Sequence, residues 1–169
     1  GIRLQPITEN DLELVRRWRN AAHVSRNMRY QKHITEDDQV KWFHSLTEND
    51  HYYLIIIDDK AIGLINVKEI DPAKKSGEAG IFIGDTDYLK SLVSFQATFC
   101  LMDHYFENVG LEKLKAVVTN RNENGLSFNE GLGYQLVEEL EDAYILEVTH
   151  AAYKARTQEF REFLKDKFE

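Results

Sequence analysis

The sequence holds one cysteine, Cys100, so no disulfide can form within the chain, and a reducing compartment, the cytoplasm, is the expected setting. It has two prolines and no Pro-, Gly- or Ser-rich stretch, so nothing marks a linker, and residues 2–169 read as one domain. No apolar run approaches the roughly 20 residues that cross a bilayer, and no membrane partner is expected. The opening Gly1-Ile2-Arg3-Leu4-Gln5-Pro6 lacks the basic stretch and apolar core of a signal peptide. Positive charge is in deficit. With 21 Lys and Arg against 29 Asp and Glu, the formal charge of −8 argues against nucleic acid as a partner. The six histidines show no ligand spacing with each other or with Cys100, so no metal is expected. A Walker loop, a nucleophile-elbow serine and a dinucleotide-binding GxGxxG are also missing.

What is present is an ordinary globular composition, 43% apolar and 30% charged. Ile2–Leu4 reads as a short strand. Thr8 with Asp11, then Thr35 with Asp38, are N-cap pairs that open two helices, carrying Leu12, Val15, Trp18 and then Val40, Phe43, Leu46 at helical spacing. Between them Ala21–His33 reads as a polar loop. It supplies Arg26, Arg29 and Lys32 to a basic cluster that starts at Arg16, Arg17 and Arg19, a rim suited either to an anionic ligand or to solvent. The strands Tyr52–Ile57 and Ala61–Ile70 flank the turn Asp58-Asp59-Lys60 and predict a hairpin, with Glu78–Ile83 following. Leu92, Phe95, Phe99, Met102, Phe106 and Val109 predict one long amphipathic helix that ends at Gly110. Cys100 falls beside that stripe and reads as a small core residue. Leu114–Thr119 is a strand, Glu123–Gly131 a short helix, Tyr134–Glu139 and Ala143–Val148 a strand pair, and Ala151–Phe168 a closing helix. The order β-α-α-β-β-β-α-β-α-β-β-α predicts an α/β fold, a central mixed sheet with helices on both faces. Glu78–Ile83 and Leu114–Thr119 should be parallel neighbours across a helical crossover.

Several strings carry a family likeness. Trp18-Arg19-Asn20, then Val24, Met28, Ile34 and Trp42-Phe43, resemble the "WRN…V…M…I…WF" opening of one branch of the GNAT (GCN5-related N-acetyltransferase) superfamily. That branch includes an aminosugar-nucleotide N-acetyltransferase of pseudaminic-acid synthesis and the ribosomal-protein and spermidine acetyltransferases. Tyr105 to Leu114 resembles the end of that family's third helix, and Asn122 followed by Gly133-Tyr134 resembles its "N…YEKLGF" string. The resemblance spans nearly the whole chain. It implies acetyl-CoA as co-substrate, direct transfer to a primary amine, and a monomer or homodimer.

The resemblance also assigns residues. Phe82 and Ile83, in Gly80-Ile81-Phe82-Ile83-Gly84, belong to the strand whose free backbone groups hold the acyl chain and pantetheine. Lys90, Ser91 and Asn122 are the further cofactor-binding candidates. The family's phosphate turn carries glycines where this chain has Lys90 and Leu92, and side chains there obstruct close backbone approach to phosphate. The tyrosine that protonates the departing thiolate is replaced by Asn129, whose amide donates a hydrogen bond but no proton at neutral pH. Tyr134 occupies an aromatic position that packs in the core. Glu78 leads the candidates for general base, ahead of His44 and His51. Arg19, Asn20, Met28 and Arg29 are expected to contact the acceptor, a small-molecule amine that an anionic nucleotide would match to the basic loop. The enzyme alternative is acetylation of a protein N-terminus or a polyamine. The other alternative is a catalytically degenerate domain that binds a ligand or partner without turnover.

Overall fold

A computed structural model describes residues 1–168, with side chains through Asp166; Glu169, the last residue of the expected domain, lies outside them. The chain runs through β1 (Ile2–Pro6), α1 (Leu12–Asn20), α2 (Ala22–Ser25), α3 (Glu36–Ser45), β2 (His51–Ile57), β3 (Lys60–Asp71), β4 (Ser76–Ile83), α4 (Val93–Asp103), β5 (Lys113–Thr119), α5 (Glu123–Gly131), β6 (Gln135–Glu139), β7 (Ala143–Thr149) and α6 (His150–Phe168). The seven strands form one mixed sheet in the order β1-β2-β3-β4-β5-β7-β6. Only β4 and β5 pair in parallel. This is the α/β architecture that the sequence predicts.

Local chemistry explains the boundaries. Thr35 caps α3 by accepting from the Asp38 amide at 3.1 Å while the Asp38 carboxylate accepts from the Thr35 amide at 2.9 Å, a reciprocal box. Asp58 and Asp59 take φ of 47° and 67°, the left-handed pair that a tight hairpin requires and that Asp tolerates, so β2 and β3 turn back on each other. The period-two alternation of β2 then separates two cores. Ile55 faces the large one, with Leu101, Met102, Leu114, Leu146 and Tyr153; Leu54 and Ile56 face a smaller one with Val15 and Leu64. Residues of α4 and α6 build the first core; α1 contributes Val15 and Trp18 to the second.

Three sequence expectations change. The Ala21–His33 segment is not all loop, because Ala22–Ser25 closes one helical turn, α2. The long helix is not uniform either. It is α-helical to Asp103 and continues as a π-helix over His104–Val109, which Gly110 ends at φ 87°. The wider turn breaks the three-and-four spacing, so Tyr105 and Phe106 are buried while Val109 is exposed. Cys100 is exposed and not a core residue, since one residue on from buried Phe99 the helix has turned about 100° toward solvent. β4 and β5 are the parallel neighbours expected, joined by a short ladder: Ser76, Gly77 and Glu78 pair with Lys113, Leu114 and Lys115, and there it stops. From Ala79 to Ile83, β4 keeps only its β3 partner.

Candidate active site

The end of that ladder makes the site. Past Glu78 the two parallel strands diverge, leaving one backbone edge of β4 without a strand partner and opening the sheet to both faces. A cavity of about 620 Å³ fills the gap. Gly80, Ile81 and Phe82 of β4 and Ala116 and Val118 of β5 line it, with Asn122 and Asn129 of the α5 region and Met28 and Arg29 of the segment after α2. A second cavity of about 360 Å³ adjoins it, with Arg19 and Tyr30 lining both.

On β4, Phe82 meets Trp18 edge-on, ring centroids 6.2 Å apart, and the Ile83 carbonyl lies 3.1 Å from His23 Nε2. Ile83 itself is buried outside the cavity lining. Gly84 then lets the chain leave the sheet directly beneath the Trp18 ring, where a Cβ would overlap indole atoms. The following turn is capped by Asp85, which accepts from the Asp87 amide at 3.0 Å and pairs with Lys60 at 2.7 Å; Lys60 holds the Asp85 carboxyl below its ordinary range. Lys90 is exposed and lines neither cavity. Ser91 donates to the Tyr88 carbonyl at 2.7 Å and only weakly reaches the Val93 amide, at 3.4 Å. The first turn of α4 contains no acidic residue and no side-chain cap at Leu92, and its Val93 amide meets only the long Ser91 contact, so the positive end of the helix suits an anion.

Asn122 and Asn129 hold the two backbone groups of one residue, Gly125. Asn122 caps α5 by accepting from the Gly125 amide at 2.9 Å, and Asn129 donates to the Gly125 carbonyl at 2.8 Å. Both line the cavity. Tyr134 enters it from the same turn: its amide donates to the Asn129 carbonyl at 3.1 Å.

Glu78 sits where the strands part, its side chain 16% exposed, with Lys68 at 3.4 Å and Lys115 at 3.6 Å. His44 and His51 do not join it. His44 faces Glu9 at 3.4 Å on the surface, and His51 bonds to Tyr105 and the Glu48 carbonyl; neither lines a cavity. Glu69, which the sequence reading missed, also lines the larger cavity. It stands at φ 52° in a bulge of β3, its amide held by Asp50 at 2.9 Å.

The expected acceptor residues divide. Arg19 lies 5.2 Å over the Trp42 ring and donates to Gln39 at 3.3 Å; desolvation by burial lowers its pKa from the ordinary arginine value. Asn20 is spent on structure, clasping both the amide and the carbonyl of Ile34, at 2.8 and 2.9 Å. Met28 and Arg29 form part of a roof over the cavity. Arg29 forks onto Asp142 with bonds of 3.0 and 3.1 Å, and three consecutive carbonyls are pinned from the β5–α5 turn: Arg121 reaches Arg26 at 2.8 Å and Met28 at 2.7 Å, and Thr119 reaches Asn27 at 3.3 Å. No sequence signal marked Arg121, an isolated arginine in a turn.

The gap therefore leaves one edge of β4 free along a cavity, and the first turn of α4 lies outside that cavity's lining. The comparisons agree in fold. Residues 2–135 match the family model of an acetyltransferase (GNAT) domain. The acetyltransferase PseH of Campylobacter jejuni is 26% identical over 148 residues, covering 85% of this chain and 90% of that protein. An uncharacterized protein of Methanocaldococcus jannaschii is 26% identical over 151 residues; 86% of this chain is covered, but it spans only 30% of that relative's length. Among solved structures, FdhC, described as a nucleotide-linked sugar GNAT, superposes with a TM-score of 0.79 at 20% identity, over 96% of this chain and 94% of that one. Spermidine N-acetyltransferase of Vibrio cholerae, solved with CoA and spermine, gives 0.76 at 16% identity, over 90% and 97%.

Proposed function

This chain belongs to the acetyltransferase (GNAT) family, and on that premise we propose that it moves acetyl from acetyl-CoA to a primary amine carried by an anionic small molecule, an aminosugar nucleotide. The observation that carries the reading is the divergence of β4 and β5 into a cavity that joins both faces of the sheet. The donor arm enters from the α4 side along the unpartnered edge of β4, with Phe82 and Asn122 in the lining. Its phosphates meet the α4 amides with Lys90 and Ser91 close by in sequence. The amine arrives from the opposite face, beneath Met28 and Arg29. Its nitrogen bonds to the thioester carbon, the C–S bond breaks, and Glu78 is the carboxylate best placed to take up the proton the amine sheds.

The charge of the smaller cavity supports the acceptor class. Arg19 and Lys41 flank Trp42 and Tyr30 there, against one carboxylate, Asp38. That set suits a flat ring and a phosphate better than a polyamine, which requires acidic walls. A second reading, a domain that binds without turnover, is favoured by the phosphate turn lacking glycine and by Asn129 at the family's acid position. Acetyl-CoA separates the two from a chain that binds no donor at all. At a hundredfold excess over its dissociation constant it should stabilise the protein by about 2.7 kcal/mol. Acetylation within a panel of UDP- and dTDP-linked aminosugars then identifies an enzyme. No melting shift with acetyl-CoA would sink the proposal.

A further inference from the structure

We infer that the Tyr134 hydroxyl is the group that bonds the sulfur of the acyl donor and supplies its proton on departure, an inference that rests on the acetyl-transfer reading above. The sequence pattern gives this position a packing aromatic, for which phenylalanine suffices. The ring does pack: Tyr134 is 5% exposed and belongs to the large core. What packing does not explain is the hydroxyl. A buried tyrosine normally finds a partner for its O–H, since leaving it unpaired costs about 1–3 kcal/mol.

Two equally buried tyrosines show how this fold meets that demand. Tyr105 shares hydrogen bonds with Tyr53 at 2.7 Å and with His51, and Tyr153 donates to Asp103 at 2.7 Å. The Tyr134 hydroxyl has no such partner among the described residues. Nor is it sealed in. The fully enclosed side-chain polar atom without a partner is Thr98 Oγ1, a different wall of the same cavity. Tyr134 lines the cavity, and the cavity is the place where its hydroxyl finds a partner.

Its location suits the sulfur. A thioester reaching an amine on the far face must pass through the gap, whose closed end is the Glu78–Lys115 pair. Tyr134 lies near enough to Glu78 for that charge to act on it. Burial first, then Glu78, pushes the phenol pKa up and keeps it loaded with its proton. Three of the cavity's other donors are committed or misplaced. Asn129 has no acidic proton, Lys68 pairs with Glu78, and Tyr30 is half exposed under the roof on the acceptor side. As the amine nitrogen adds and the C–S bond breaks, sulfur leaves with the bonding pair and takes the phenolic proton. The proton shed by the amine returns to the phenolate through the cavity, so CoA thiol and amide leave with Tyr134 restored.

Calorimetry of the whole chain with CoA and with desulfo-CoA, for wild type and Tyr134→Phe, tests the contact without an acceptor. The substitution should weaken CoA about three- to tenfold and leave desulfo-CoA unchanged. Because the hydroxyl bonds nothing in the protein, the melting temperature should stay within about 1 °C. With any amine the wild type acetylates, kcat should fall about a hundredfold or more while the KM of the amine holds. Equal affinities of the two proteins for CoA, or a melting temperature several degrees lower with kcat intact, would return Tyr134 to a packing role and overturn the inference alone. Failure of the wild type to bind CoA would overturn the acetyl-transfer reading and this inference with it.

Discussion

Replacing Gly84 with alanine should destabilise the protein through a single added methyl group. The backbone at Gly84 is ordinary; the constraint is space. A Cβ built there lands inside the Trp18 indole, in overlap with three ring atoms. The indole cannot swing aside cheaply, because its other edge faces Phe82 and it packs against the Val15, Leu54, Ile56 and Leu64 core. Overpacking of a filled core costs about 1–3 kcal/mol, and a rigid aromatic neighbour places this case near the top of that range. For a chain of this length each kcal/mol moves the melting temperature by about 2–4 °C, so Gly84→Ala should melt about 4–12 °C lower. Differential scanning fluorimetry measures this directly. Trp18→Leu on its own should also destabilise, but adding it to Gly84→Ala should cost less than the sum, since the smaller side chain vacates the overlap. An alanine variant that melts with the wild type would mean that the exit from β4 is not shaped by this contact. Strictly additive losses would mean the same.

Arg121→Ala should raise the acceptor KM about tenfold, by freeing two carbonyls of the roof, while acetyl-CoA affinity and kcat stay within about twofold; steady-state kinetics reads it, and an equal loss for acetyl-CoA would place Arg121 on the donor side instead. Lys90→Gly with Leu92→Gly should tighten acetyl-CoA if side chains hold the phosphates away from the α4 amides, and weaken it if Lys90 is itself a ligand; calorimetry distinguishes the two.

The fold was legible because its signals are local. The Thr35–Asp38 box, the Asp58-Asp59 turn and Gly110 each solve a backbone problem within four residues, and such solutions are written in adjacent letters. The β2–β3 hairpin and the parallel β4–β5 pair followed from a tight turn and a crossover length, whereas the place of β7 between β5 and β6 departs from chain order. The π-helical stretch at His104–Val109 was not legible, because its wider turn follows from packing of Tyr105 and Phe106 rather than from any breaker in the sequence. The site was legible in outline, through family strings, but not in its bonding. Asn20 looks like a ligand in the Trp-Arg-Asn string, yet both ends of its amide are taken by Ile34, 14 residues away. Arg121 reaches back more than 90 residues to the roof. Tyr134 could be told from phenylalanine only by asking where its hydroxyl goes, and that is a question about three-dimensional neighbours.

The roof has one more consequence. Its supports grip the main chain: Arg121 and Thr119 hold carbonyls of Arg26, Asn27 and Met28, and every residue type carries a carbonyl. The side chains at those three positions are thus excused from holding the segment in place. Mutation can rewrite them, trading charge for ring or ring for amide, while the arch keeps its height above the cavity. A library randomised at positions 26–28 with Thr119 and Arg121 kept should stay folded and vary in acceptor preference; one that spares the roof and varies the two supports should lose the arch itself. Selectivity here is built like type in a fixed frame, in which the letters change and the frame stays.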